Sequence, residues 1–291
     1  IASTALTCGA SMASAGDVTL NYWMWDANQA PVYQQCAAKF EAANPGIKIK
    51  ITQDSWDNYW TTLTTGFVSG NAPDVFVNHL SRFPEFLENG VMEDITDRIA
   101  KDKVDMKAYL SGLAESWAKD DHQWGLPKDW DTIAIVYNKD MLAAAGLKDS
   151  DLANLDWNAK DGGSFEKVVA HMTVDQNGKR GDEPGFDKSK VAVYGWVSNP
   201  ADGYGQNQWS FFAASNGFKA IDKPWGSKYA YDSPALVDTL TWLRDLGIKK
   251  GFTISQENIG SLNASAIFSA GKAAMVPDGS WMISTYRDTS K

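Results

Sequence analysis

The sequence predicts a two-domain α/β protein built on mainly parallel sheets, and three observations carry that prediction. The chain has 291 residues, more than one simple core serves, because cores stop growing and chains divide as length rises. Its opening stretch alternates strand and helix signals in the order βαβαβ, the pattern of parallel strands joined by right-handed crossovers. Two later segments, residues 125–131 and 275–280, stand where a chain would pass from one domain to the other and back.

The elements follow in order. Val18, Leu20 and Tyr22 alternate with Thr19 and Asn21, and Trp23-Met24-Trp25 closes a first strand. Residues 26–31 read as a turn. Tyr33, Cys36, Ala37 and Phe40 fall at i, i+3, i+4 and i+7, one face of a helix that Asn44-Pro45-Gly46 stops. Ile47, Ile49 and Ile51 form a second strand, Trp56, Trp60, Leu63 and Phe67 mark a second helix, and residues 74–78 read as a third strand. Ligands of open parallel sheets bind beyond the carboxyl ends of the strands, which singles out Trp25, Asp26, Asn78 and His79.

A helical stretch through Tyr109, Leu113 and Trp117 leads to a polar turn over 120–127, then to Lys128-Asp129-Trp130-Asp131 and a strand over 133–137. This is the candidate domain crossing. Short helices follow at 141–145, before Gly146, and through Phe165, Val168, Val169 and Met172. Residues 191–197 read as a strand, and Trp209, Phe212 and Ala213 as a helix face ending at Asn216-Gly217. Ser233-Pro234 starts a helix with Leu236, Val237, Leu240 and Leu243 inward. Residues 273–276 form a last strand running into Pro277-Asp278-Gly279-Ser280-Trp281, the candidate return crossing.

Charge and motif content exclude several functions. Lys and Arg number 27 against 36 Asp and Glu, a net charge of −9, so the field of the whole molecule repels phosphate backbones and nucleic acid is no partner. Residues 1–16 contain no Asp, Glu, Lys or Arg and read as the remnant of a secretory signal, with Ala13-Ser14-Ala15 as a small-residue cleavage site or Cys8 as a lipidation candidate. The three histidines, His79, His122 and His171, make no His-Glu-x-x-His pair, and neither a nucleophile elbow nor a phosphate loop occurs. Asp175-Gln176-Asn177-Gly178 begins like a calcium loop but its ligand run fails, so no metal and no cofactor are assigned. Paired carboxylates remain open, since glycoside hydrolysis needs only two. Asp129 and Asp131 flank Trp130 and point to one side of an extended segment, as solvated groups or as an acid/base pair.

Tryptophan is the most telling residue. There are 13. Trp60, Trp117 and Trp242 lie on helical stripes and read as core, whereas Trp25, Trp56, Trp130, Trp209, Trp225 and Trp281 lie at strand ends, helix starts or loops. Sugar rings present C–H faces that stack on indole while their hydroxyls need polar partners, here Asp26, Asp57, Asn78, Lys128, Asp129, Asp131 and Asp278. For any one of these tryptophans, packing and ligand contact are equally served by its position.

Leu126-Pro127-Lys128-Asp129, residues 134–139 (Ala-Ile-Val-Tyr-Asn-Lys) and Met141-Leu142 resemble the signature segment of the bacterial family 1 extracellular solute-binding proteins of ABC importers, in their sugar-binding branch. Residues 40–47, 70–75 and 268–275, followed by Gly279-Ser280-Trp281, agree in order. Lys128 replaces a usual apolar residue, which makes it a polar ligand contact, and Ala144 replaces a usual polar one. The resemblance implies a two-lobed α/β fold of the type II periplasmic-binding-protein class, with a cleft between the lobes and hinge closure about the crossings. It implies a first lobe over 17–126, a second over 127–276, and a return segment over 277–291, with further chain completing both. Capture of a carbohydrate, an oligosaccharide in particular, and delivery to ABC permease subunits follow from it. The expected state is a monomer outside the cell or in the periplasm, lipid-anchored if Cys8 is acylated. By matching position it assigns the ligand to Trp25, Asp26, Asn78, His79, Lys128, Asp129, Trp130, Asp131, Asp278 and Trp281, and the residue chemistry adds Asp57, Trp209 and Trp225. A secreted glycoside hydrolase, or a binding protein for peptide or another solute, are the alternatives.

Overall fold

A computed structural model of the chain describes residues 18–199, 205–255, 259 and 263–289. The expected signal remnant over 1–16, with Cys8, lies outside these residues. The chain forms two compact units, Ile1–Trp130 and Asp131–Lys291.

In the first unit β1 (Val18–Met24) is central, with β2 (Ile47–Gln53) on one side and β3 (Val75–Phe76) on the other, all parallel. The β1/β2 ladder runs in register from Val18 opposite Ile47 to Met24 opposite Gln53. Two crossover helices join the strands, α1 (Ala30–Ala43) and α2 (Trp56–Ser69). In α2 the residues Tyr59, Trp60, Leu63 and Gly66 fall at helical spacing and are buried, and Gly70 ends the helix at φ 72°, where a side chain would be strained. The stripe of α1 behaves differently. Its helix forms, yet Cys36 and Phe40 are exposed, and they border an apolar groove of about 310 Å³ with Tyr22, Tyr33, Ala37, Ile49 and Ile51. Short helices α3 (Phe83–Glu88) and α4 (Thr96–Asp102) and the hairpin of β4 (Ala118–Lys119) and β5 (His122–Gln123) complete the unit.

The expected helix through Tyr109, Leu113 and Trp117 does not form. Two separate 3-10 turns, Met106–Ala108 and Glu115–Trp117, stand there instead. Tyr109 is extended and Gly112 sits at φ 89°, outside any helix, and the Ser116 hydroxyl donates to the Gly112 carbonyl at 2.6 Å. The apolar spacing was real and served packing: Trp117 meets Phe83 at 5.2 Å between centroids.

In the second unit β6 (Ile133–Tyr137) pairs antiparallel with β9 (Met275–Gly279), from Ile133 opposite Gly279 to Tyr137 opposite Met275. On the other edge of β9 the chain near Tyr194 runs parallel to Ala273, and Trp196 is parallel to Thr253. The sheet is therefore mixed, two parallel relations and one antiparallel. The strand expected over 191–197 is regular only as β8 (Val191–Val193), which pairs with β7 (Val174–Asp175). At Gly195, between the bridged Tyr194 and Trp196, a β-carbon would come 2.0 Å from the Val169 carbonyl oxygen, so only glycine fits.

Helices α5 (Lys139–Ala144), α6 (Gly163–Met172), α7 (Ser210–Ser215), α8 (Pro234–Ile248), α9 (Ala264–Ser269) and α10 (Ile283–Thr289) surround this sheet. Phe165 and Val169 of α6, Trp196, Phe212 of α7, and Trp242 and Leu246 of α8 form the main core. Truncating a ring such as Trp196 or Trp242 would cost about 3–5 kcal/mol. Trp242 Nε1 donates to Glu166 Oε2 at 2.7 Å, and the Lys250 ammonium pairs with Glu166 Oε1, so one carboxylate serves both. Asp175, the first residue of the loop that begins like a calcium site, is 2% exposed, and its carboxylate accepts the amides of Asn177, Lys179 and Asp187 at 2.8, 2.9 and 2.9 Å. Those hydrogen bonds, the Asp187 amide foremost, hold its pKa below the ordinary carboxylate value.

Candidate functional site

The first unit gathers aromatic rings beyond the carboxyl end of β1. Trp56, Tyr59 and Trp60 lie at i, i+3 and i+4 of α2 and so share a face, and Trp25, the first residue past β1, packs against all three at 5.1, 5.4 and 5.3 Å. His79, past β3, stands perpendicular to Trp56 at 5.4 Å and lies 6.5 Å from Trp25. The cluster grades from inside to outside: Tyr59 is 1% exposed, Trp60 6%, and Trp56 41%. Tyr59 fixes the floor, its hydroxyl donating to the Val77 carbonyl at 2.6 Å, and burial raises its pKa. Arg82 lies over the Trp60 ring, 5.5 Å from its centroid.

The polar residues here have structural duties as well. Asp26 accepts the amides of Asn28 at 2.8 Å and Gln29 at 3.3 Å, which organises the start of α1. Asn78 accepts the His79 amide at 2.8 Å, and the His79 Nδ1 is 2.8 Å from the Ser81 hydroxyl. Asp57, in the first turn of α2, is exposed beside Trp56 in sequence.

Lys128 and Asp129 are held on the same unit. The ammonium of Lys128 bonds the Gln29 side-chain carbonyl and pairs with the Asp129 carboxylate, while Gln29 Nε2 donates to Asp129 Oδ2 at 2.9 Å. Lys128 also stands 5.8 Å from the Tyr33 ring centroid. Burial, with Tyr33 and then Asp129 nearby, pushes the Tyr22 hydroxyl pKa up. Trp130, next in the chain, is 57% exposed.

In the second unit, Asp131 accepts the Ser280 hydroxyl at 3.0 Å, and the Ser280 amide donates to the Thr132 carbonyl at 3.0 Å. Asp129 and Asp131, neighbours of one tryptophan, thus have separate partners in separate units. Asp278 is 3% exposed; Oδ2 accepts the Tyr286 hydroxyl at 2.6 Å, and burial followed by this hydrogen bond raises the Tyr286 pKa. Trp281 lies over Gly279 and is half-buried. Trp209 is placed elsewhere, over Gly205 and 6.0 Å from Phe218, and Trp225 stands at a hairpin turn, 41% exposed with φ 59°.

The structure therefore brings Trp25 to His79, Lys128 to Asp129, and Asp131 to the residues before Trp281. Sequence reasoning left Trp56 out of the site although its place at a helix start had marked it as exposed. It also passed over Gln29 and Tyr33, whose roles depend on a contact across 99 positions from Gln29 to Lys128. Among the described residues no group of three His, Cys, Asp or Glu is placed to hold a metal ion, and no helix is long and apolar enough to cross a membrane.

Comparison with known proteins adds a family and a fold. The sequence model for bacterial extracellular solute-binding proteins matches residues 35–291. A lactose-binding protein of Rhizobium radiobacter is 27% identical over 171 residues, 54% of this chain and 38% of its own length. An ABC substrate-binding protein from Listeria monocytogenes, solved in complex with cycloalternan, superposes with a TM-score of 0.77 at 24% identity, over 94% of this chain and 64% of that one. A solute-binding protein from Thermotoga lettingae bound with α-D-tagatose gives 0.74 at 22% identity, over 94% and 64%. The matched stretch spans 33% to 38% of the length of such curated relatives.

Proposed function

Because this chain belongs to the bacterial extracellular solute-binding proteins, we propose that it captures a carbohydrate, an oligosaccharide in particular, for delivery to the permease subunits of an ABC transporter. The observation that carries this reading is the graded cluster of Trp25, Trp56, Tyr59, Trp60 and His79. Its buried members fix the position of Trp56, and an indole so held offers a sugar ring an apolar face at little cost in side-chain order. Asp57, Asp26 and Asn78 supply acceptors and donors for hydroxyls around it. Lys128, Asp129, Trp130, Asp131, Asp278, Trp281, Trp209 and Trp225 are further contacts on this reading, with Asp278 reached only if Tyr286 gives way.

The relatives support it: a lactose-binding protein in sequence and a cycloalternan complex in structure. The family is one of binding proteins, and for this chain we infer capture without chemistry, as a monomer, with acylation of Cys8 as its anchor. Calorimetric titration with a panel of di- and oligosaccharides tests the reading. Heat of binding with no new reducing ends is expected. Release of reducing ends at turnover would make the protein a glycoside hydrolase, and heat with peptides alone would move it to another solute. Palmitate labelling lost in Cys8→Ser tests the anchor.

A further inference from the structure

The hairpin over residues 218–231 of the second unit displays exposed aromatic rings. Its strands are joined by Ala230 N to Ala220 O at 3.1 Å and Asp222 N to Lys228 O at 3.2 Å, with Ile221 opposite Tyr229. Tyr229 is 68% exposed, Tyr231 52% and the turn residue Trp225 41%. The rings form a line: Trp209 to Phe218 at 6.0 Å, Phe218 to Tyr231 at 5.9 Å, and Tyr231 to Tyr229 at 6.3 Å.

Tyr229 and Tyr231 are inclined to each other by 31°. Residues i and i+2 of a strand project to one side, so the two rings make a ledge facing solvent. An exposed aromatic ledge is costly for a monomer unless something covers it. Its composition selects what that is. The rings are tyrosines with hydroxyl tips, and Lys219, Lys223, Lys228, Asp222 and Asp232 around them are exposed, mixing donors with acceptors.

We propose that this hairpin is a second carbohydrate-binding surface, on which successive units of a linear polysaccharide stack on Tyr229 and Tyr231. The inference rests on the carbohydrate reading above, but its two stacking residues are not among the contacts named there. It would hold the polymer from which shorter ligands are drawn.

Affinity electrophoresis of the full chain in native gels containing hydroxyethylcellulose, debranched arabinan or linear mannan tests it, alongside calorimetry with the matching trisaccharides. At least one polymer should retard the protein. Tyr229→Ala with Tyr231→Ala should weaken that retardation tenfold or more, while the paired Phe variants, which keep the rings, should retain it and serve as the folded control. Trp56→Ala should lower trisaccharide affinity about tenfold and leave retardation in place. No retardation by any polymer, or equal retardation of the double Ala variant, overturns the proposal. So does a double Ala variant whose only change is loss of self-association, which would assign the ledge to a second copy of the chain. Ledge-dependent retardation without any trisaccharide heat would uphold the hairpin and defeat the reading of the Trp56 cluster.

Discussion

The indole of Trp281 fills the space that a β-carbon on Gly279 would need. Gly279 has φ −91°, a conformation open to any residue, so glycine serves here for room and not for backbone freedom. Gly279 is also the last residue of β9, in register with Ile133. The ring's position is therefore set by a strand end and a missing side chain together.

Gly279→Ala should displace that ring and change tryptophan emission and the near-ultraviolet dichroism of the unliganded protein. Trp281→Ala should leave the melting temperature nearly unchanged and weaken sugar binding by about 1–2 kcal/mol, roughly tenfold or somewhat more. Large loss of stability with affinity retained in the folded fraction would place Trp281 in the core instead.

Trp56 and Trp60, one helical turn apart on α2, should separate in the same pair of assays. Trp56→Ala is expected to lower affinity about tenfold with a small change in melting temperature, whereas Trp60→Ala should cost about 3–5 kcal/mol of stability. Equal losses of stability in the two variants would contradict the graded exposure of the cluster.

Glu166 gives one carboxylate to two partners, Trp242 and Lys250. Glu166→Ala leaves both without it and should lower stability by about 1–3 kcal/mol. Glu166→Gln keeps an acceptor for the Trp242 indole and should fall between, as read by urea denaturation.

Asp175 makes stability depend on acid pH. Its pKa is lowered in the folded protein, so its contribution is present above the unfolded carboxylate pKa of about 3.9 and fades as pH falls through the folded value. Urea midpoints of the protein and of Asp175→Asn should differ at pH 7 and converge as the pH is taken below about 4. A gap independent of pH would show that the carboxylate's charge is not what the Asn177, Lys179 and Asp187 amides respond to.

The first unit's βαβαβ order was legible because β1 and β2 carry period-two apolar residues, β3 a short apolar run, and α1 and α2 period-3.6 stripes. Trp25 and His79 were legible for the same reason, as the residues just past strand ends. What escaped the sequence depended on space or on distant partners. The need for glycine at 195 follows from the Val169 carbonyl, the loss of the 109–117 helix from the conformation of Gly112, and the tie of Lys128 from Gln29. The α1 stripe shows the opposite case: the pattern predicted the helix correctly, but periodicity alone does not say whether a face is covered. Trp56 was visible as an exposed ring, but its contact with Trp25 was not, because nothing in the sequence places the two together.

The long reach of the β6/β9 ladder bears on the order in which the polypeptide acquires structure. In the first unit the tie from Asn21 to Asp74 spans 53 positions, while in the second Thr132 meets Ser280 across 148. Closing the longer loop brings more entropy loss before any contact rewards it, so high contact order slows folding. A chain emerging in sequence would complete the first sheet while β6 still waited for its partner. That delay leaves β6 without its partner until the last part of the described chain has been made.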